Sequence, residues 1–155
     1  MTNTETGLTV VNAEVASVDL VEQLKNPNGQ FYCSIQNDGT RKSAVSIYNA
    51  VMNADKRVEN AINMTLEVIN VVAHPVTLVD ENTGEVITAL RTVLVTKDGT
   101  GYEAVSQGIT NALSRIFSIV GMPDGGAWEQ EPVKMKIKQV ATRNGNNKIM
   151  TIELV

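Results

Sequence analysis

The stretch VKMKIKQVATRNGNNKIMTIEL, residues 133–154, decides the fold of this protein. Two β-like runs flank a polar turn, and the dipeptide Asn144-Gly145 is a strong signal for a β-hairpin. The chain therefore ends in a predicted pair of antiparallel strands.

Apolar and basic residues alternate in the first of these runs. If the pleat is regular, Val133, Met135 and Ile137 face the core and the residues between them face outward together. Those outward residues are Lys134, Lys136 and Lys138. Arg143 and Lys148 add two cations at the turn. Such a row suits either of two roles, the protection of an edge strand against aggregation or the binding of a phosphate backbone.

The net charge of −4 does not argue against an anionic ligand, because the acidic residues are unevenly placed. Residues 1–40 hold one base, Lys25, and five acids, which accounts for the whole excess. The remaining 115 residues are balanced, and 134–148 contains bases and no acids. The closing hairpin is thus a local basic patch.

Upstream of the hairpin, the chain divides into an N-terminal arm and one domain. Residues 1–29 end in the turn signal Asn26-Pro27-Asn28-Gly29, and we interpret them as a partly extended arm. Residues 30–155 are long enough for a single domain. Its first predicted elements are a strand at 31–35 and a short helix near 43–54 with Ser43 as N-cap. Strands follow at 62–73 and 76–79, with a break or bend at His74-Pro75 between them, and then at 86–96. A long helix, opened by a capping box at Thr100–Glu103 and ended by Gly121, precedes the two closing strands.

This order predicts a mainly β protein with two helices, α+β by content. Five strands with a long helix between strands 3 and 4 match a five-stranded OB-fold barrel, here with an extra short helix after strand 1. No run approaches the ~20 apolar residues of a membrane span, and the N-terminus lacks a secretory signal. With a single cysteine, these features favour a cytoplasmic location.

Catalytic chemistry is not expected. The one histidine, His74, has no partner pattern, and Cys33 lies on the apolar face of its strand, as a packed cysteine does. Lys97-Asp98-Gly99 resembles a phosphate cradle, but its acid opposes a phosphate, so a turn is the better interpretation. We therefore predict no enzyme activity, no metal site and no cofactor.

Proteins that hold single strands combine cations for the phosphates with aromatic rings for the bases. Tyr32 faces away from Phe31 and is the favoured stacking ring, whereas core packing and stacking both stay open for Tyr48, Tyr102 and Trp128. The predicted DNA-binding set is Tyr32, Arg41, Lys42, Tyr48, Arg57, Arg91, Tyr102, Trp128, Lys134, Lys136, Lys138, Arg143 and Lys148. Lys56 forms an exposed pair with Arg57, for which a solvated surface is the plainer explanation.

Three stretches carry a resemblance to a known family. They are NDGTRKSAVSIYNAVMNADK (37–56), TKDGTGYEAVSQGITNALSRI (96–116) and the closing hairpin. The order of pieces resembles the single-stranded DNA-binding proteins of Gram-positive phages with protein-primed replication, and their PrgE-like relatives on conjugative plasmids. The resemblance implies an OB fold, binding of single-stranded DNA in replication or transfer of a phage or plasmid genome, and a place in the bacterial host cell. By analogy with the plasmid relatives, it also implies self-association through the N-terminal segment.

Two hypotheses follow. The first is a sequence-nonspecific single-stranded DNA-binding protein that protects DNA, with RNA as a further possible ligand. The second is a non-catalytic structural or assembly protein of a phage or mobile element, which suits the acidic balance and the few aromatic residues.

Overall fold

The computed structural model describes residues 32–142, 145 and 148–155. Within them the protein is mostly β, with seven strands and three α-helices. The strands are β1 (Tyr32–Cys33), β2 (Lys56–Arg57), β3 (Thr65–Val79), β4 (Val86–Thr96), β5 (Gly101–Ala104), β6 (Val133–Ala141) and β7 (Lys148–Leu154). The α-helices are α1 (Arg41–Met52), α2 (Gln107–Ile119) and α3 (Ala127–Gln130), with 3₁₀ turns at Val58–Ala61 and Asp124–Gly126.

The strands form one sheet that curls into a half-barrel. Six of them lie in the order β2-β5-β4-β3-β6-β7, and β1 pairs with β3 beside them. The long strand β3 organises the sheet, because it pairs with β4 along most of its length and with β6 at its start. All neighbours are antiparallel except β2 and β5.

The main hydrophobic core lies on one side of this sheet, which we call the core side. Leu66, Val68 and Val71 of β3 point to it, and helix α2 covers it. Helix α2 buries an apolar stripe whose members recur at helical spacing, namely Ile109, Leu113, Ile116 and Phe117. Ser106 caps the helix by accepting a hydrogen bond from the backbone N–H of Ile109.

Gly108 allows α2 to lie directly against β7. A Cβ atom at this position would come within 2.0 Å of the carbonyl oxygen of Met150, and a backbone atom cannot give way cheaply. A glycine in the first turn of α2 therefore sets the distance between the helix and this edge of the sheet.

A smaller second layer covers the opposite side, which we call the outer side. Val72 and Val93 point to it, together with Cys33, and the partly buried Ile47 and Val51 of α1 pack on them. The sheet is thus covered on both sides near the middle of β3. In this part of the sheet, a side chain on either face therefore packs against a second layer.

The predicted strand and helix order needs correction at three points. The sheet has seven strands and not five, because β2 and β5 were not predicted. The pattern at Thr100–Glu103 is not a capping box, because Gly101–Ala104 pairs with β4 as strand β5 and the long helix begins only at Gln107. That helix therefore lies between β5 and β6, and a short third helix, α3, precedes β6.

Helix α1 starts and ends earlier than predicted, at Arg41 and Met52. Its N-cap is Thr40, whose side chain accepts from the backbone N–H of Ser43, so Ser43 is not the cap. Of the predicted break or bend at His74-Pro75, the break is wrong, because β3 runs through both residues. Among the described strands, β1 pairs with β3 only as far as Ala73, so Pro75 stands where no neighbouring strand on that side needs its missing N–H.

The proposed boundary between residues 29 and 30 lies outside the described residues. No helix in the described part of the chain is long and apolar enough to cross a membrane.

Candidate nucleic-acid interface

Lys134, Lys136 and Lys138 project together from the outer side of β6. The residues between them, Met135 and Ile137, are fully buried in the core, as the alternation predicts. The three lysines form the lysine row of the following paragraphs.

The lysine row does not guard a free edge. β6 lies between β3 and β7, so Lys136 pairs with Thr65 on one side and with Glu153 on the other. The backbone of Lys134 is also engaged on both sides, by β3 and by the N–H of Val155, which donates to its carbonyl oxygen over 3.0 Å. Protection of an edge strand therefore does not explain Lys134 and Lys136.

Two carboxylates lie on the same side as the lysine row. Glu67 is the cross-strand partner of Lys134, and Glu153 is the partner of Lys136. Glu153 also forms an ion pair with Lys138, with 3.7 Å between the carboxylate oxygen and Nζ. These acids lower the positive potential of the row. Their place beside the lysines depends on strand pairing, so it cannot be seen in the spacing of residues along β6.

Lys148 does not extend the lysine row. Lys148 is exposed and pairs with Ala141. Since Lys138 pairs with Thr151, strand alternation places Lys148 on the opposite side of the hairpin from the lysine row. Arg143 lies outside the described residues.

Arg91 is a structural residue. Its side chain is 12% exposed and forms an ion pair with Glu103, with 2.7 Å between Nε and Oε1. Its Nη1 donates to the carbonyl oxygen of Val51 over 2.6 Å and lies 2.9 Å from Nε2 of His74. Burial, and then the charge of Arg91, lower the pKa of His74, which favours a neutral ring that can accept from Arg91. Arg91 thus fastens the end of α1 to the sheet and is not free to bind a phosphate.

Three predicted stacking rings lie in the core. Tyr32, Tyr102 and Trp128 are 4%, 7% and 3% exposed. The Tyr32 hydroxyl donates to a carboxylate oxygen of Asp124, and burial raises the pKa of this phenol. Tyr32 faces the side opposite to Cys33, as strand alternation predicts, but that side is the core side. These three residues are therefore not part of the proposed interface.

Helix α1 carries three of the predicted residues, and all three are exposed. Arg41 and Lys42 are exposed in its first turn, and Tyr48, predicted with a core alternative, is 60% exposed. Beyond the helix, Lys56 and Arg57 are exposed on β2, the edge strand beside β5.

The lysine row and α1 lie on the same side of the sheet. Leu66 and Val68 point to the core side and pair with Met135 and Val133, so the lysines of β6 point to the outer side. The outer side is also where α1 packs on Val72. Two groups of exposed cations, far apart in the sequence, therefore lie on the outer side of the curled sheet, which we call the outer surface.

The described residues contain no group of three or more His, Cys, Asp and Glu side chains that could hold a metal ion. Cys33 is buried, and burial raises the pKa of its thiol, so this residue packs as the sequence indicated and is a poor nucleophile.

Comparison with known proteins gives a family. The family model described as phage single-stranded DNA-binding protein, of the Phi29 type, matches residues 25–155. No curated protein and no solved structure matched the chain. The members of this family bind single-stranded DNA in phage replication and are not catalysts, whereas the relation to PrgE-like plasmid proteins stays a prediction. The matched range covers most of the 155 residues, and the chain therefore belongs to the family of phage single-stranded DNA-binding proteins.

Proposed function

We propose that this protein binds single-stranded DNA without sequence preference and protects it during replication of a phage genome in the host cytoplasm. The observation that carries the proposal is the outer surface, where the lysine row and the cations of α1 lie on one side of the sheet. Lysine contacts a phosphate as a point charge, and phosphates are the same in every sequence. Binding built on such contacts holds any strand with similar strength.

The fold we propose is an OB-type barrel built from β3 to β7. Counted from β3, these five strands lie in the order third-second-first-fourth-fifth, with α2 between the third and the fourth. OB folds are partly open five-stranded barrels that bind oligonucleotides on the face of their second and third strands. Here β4 and β5 take those places, and α1 packs on the outer side of β4.

Assembly through an N-terminal arm at residues 1–29 stays a separate prediction, because that segment lies outside the described residues. The alternative of a structural protein without DNA affinity predicts particles that form with no oligonucleotide present, which light scattering would detect.

Equilibrium titration with labelled oligonucleotides tests the proposed function. We expect poly-dT and mixed-sequence strands of equal length to bind within a few-fold of each other, and duplex DNA to bind more weakly. The logarithm of the affinity should fall with the logarithm of the salt concentration by about 0.7 per phosphate contact. Bound strands should also resist a single-strand nuclease.

The same titration with RNA of matching sequence decides between the two nucleic acids. No binding to any single strand at low salt would contradict the proposal, and so would a strong preference for one sequence.

A further inference from the structure

The hairpin of β3 and β4 extends beyond the rest of the described sheet. Strand β1 pairs with it only as far as Ala73, and strand β5 only as far as Thr92. The end of this hairpin, residues 76–89, contains three acids and no basic residue, so we call it the acidic end. The acids are Asp80, Glu81 and Glu85.

Each face of the acidic end carries one pair of exposed apolar side chains. Leu78 lies opposite Ile87, and these side chains are 37% and 45% exposed. The next pair along the strands is Val79 with Val86, which alternation places on the other face, and both are 63% exposed. Within the described residues, neither apolar layer of the sheet includes these side chains. Neighbouring exposed apolar side chains of this kind mark an interaction surface.

The acidic end does not suit nucleic acid. Its carboxylates repel phosphates, and no ion pair in the described part of the chain involves Glu81 or Glu85. The partner that fits is a protein surface on which apolar side chains stand beside basic ones.

A second copy of this chain offers such a surface at the end of the closing hairpin. Strand β6 pairs with β3 only up to Lys136, and residues 138–141 and 148–151 continue beyond it as a ribbon of two strands. We call this ribbon the basic end. Val140 and Ile149 lie opposite each other on its outer side and are 40% and 49% exposed.

Lysines flank this apolar pair on both faces of the basic end. Lys138 lies on the same face as Val140, and Lys148 lies on the other face. Residues 134–148 contain no acid. Lys138 is already paired with Glu153, whereas Lys148 has no role in the lysine row and is exposed. The basic end thus complements the acidic end both in charge and in apolar surface.

The two ends lie at opposite ends of β3. The acidic end follows its last residue, Val79, whereas β6 runs antiparallel to β3 and passes its first residue at the pair Thr65–Lys136. A contact between unlike surfaces is head-to-tail and can repeat from copy to copy. A symmetric contact between two acidic ends would instead bring like charges together.

We propose that the acidic end of one copy docks on the basic end of the next copy along the same DNA strand. An apolar pair of the acidic end covers Val140 and Ile149, and the carboxylates of Glu81 and Glu85 meet the flanking lysines. The inference rests on the proposed function, because the shared strand brings the copies together. A contact between two hairpin ends is smaller than the interface of a stable dimer, so the strand must supply the effective concentration.

The test measures a neighbour factor, the ratio of the affinity for a second copy beside a bound one to the affinity for a lone copy. Titration of poly-dT strands that hold one copy and two copies gives this factor at a fixed salt concentration. We expect a factor above 1 for wild type, and a factor about three- to tenfold lower for Glu85→Lys and for Lys148→Glu, because each change turns an attractive pair into a repulsive one. The double variant Glu85→Lys, Lys148→Glu restores the attraction and should regain the factor.

Two further variants complete the test. Ile149→Ser should lower the neighbour factor without a change of charge. Glu131→Lys reverses an exposed acid outside both ends and should leave the factor unchanged. Since the factor compares two affinities of one protein, any effect of the new charge on DNA binding itself cancels.

Three results would overturn the inference. If wild type binds both strands with a neighbour factor of 1, or if Glu85→Lys keeps the wild-type factor, the contact is refuted while the proposed function stands. The acidic end would then suit a different protein. If wild type binds neither strand, the proposed function fails, and the contact on a shared strand fails with it.

Discussion

The Trp128→Ala variant is expected to lose about 3–5 kcal/mol of unfolding free energy, the usual result of removing a large buried ring. Trp128 is 3% exposed, and its ring centroid lies 5.9 Å from that of Phe117, which lies 6.0 Å from that of Tyr32. Truncation would leave a cavity beneath α3 and remove one member of this row of rings. Urea denaturation followed by circular dichroism measures the loss.

Tyr48→Ala is the control for Trp128→Ala, since it also removes one aromatic ring. Because Tyr48 is largely exposed, its removal should change the unfolding free energy by no more than about 0.5 kcal/mol. The two variants should therefore separate stability from binding. If Trp128→Ala keeps wild-type stability and loses DNA affinity, the ring binds DNA and is not a core residue.

Replacing Lys134, Lys136 and Lys138 together with glutamine should weaken single-stranded DNA binding about 100-fold at ~0.1 M salt, if each lysine contacts one phosphate. The same change should make the salt slope shallower by about 2 units. The loss should be similar on all sequences, because phosphate contacts carry no base information. Titrations at several salt concentrations give both quantities.

Two further variants serve as controls for the triple lysine variant. Arg115→Gln removes an exposed cation from α2, on the other side of the sheet, and should leave affinity within about twofold. The double variant Glu67→Gln, Glu153→Gln removes the two acids beside the lysine row and should raise the affinity for single-stranded DNA. A triple lysine variant that binds as wild type does would show that the phosphates lie elsewhere.

The sequence predicted the closing hairpin well because alternation is a local property. Val133, Met135 and Ile137 had to share one face, and the lysines the other, whatever the strand paired with. Which strands lie beside β6 is not a local property. Whether β6 is an edge strand depends on β3, about 70 residues earlier, so the edge-guard interpretation could be judged only from the sheet.

The misplaced aromatic residues share one physical cause. Alternation tells which residues share a face but not whether that face meets solvent, and here helices cover both sides of the sheet. Tyr32 therefore turned away from one apolar layer and into another. The sequence around Tyr102 predicts a helix start, because strand β5 is so short that its four residues have no clear alternation.

Tyr48 is the predicted aromatic residue that is exposed instead of buried. Its helix contains two apolar stripes, one with Ile47 and Val51 and one with Val45 and Met52, and Tyr48 could belong to either by spacing. Only one of the two stripes can face the sheet, so the other must be exposed. The choice between them needed the contact with Val72 and Val93.

The most direct measurement of the central claim is a map of the bound strand on the protein by backbone amide NMR, with and without a short dT oligonucleotide. We expect the largest shifts in 41–52 and 134–138, on the outer surface, and small shifts in 107–119, on the core side. Shifts concentrated in 107–119, with 134–138 unchanged, would contradict the claim that this protein holds single-stranded DNA on the outer surface of its sheet.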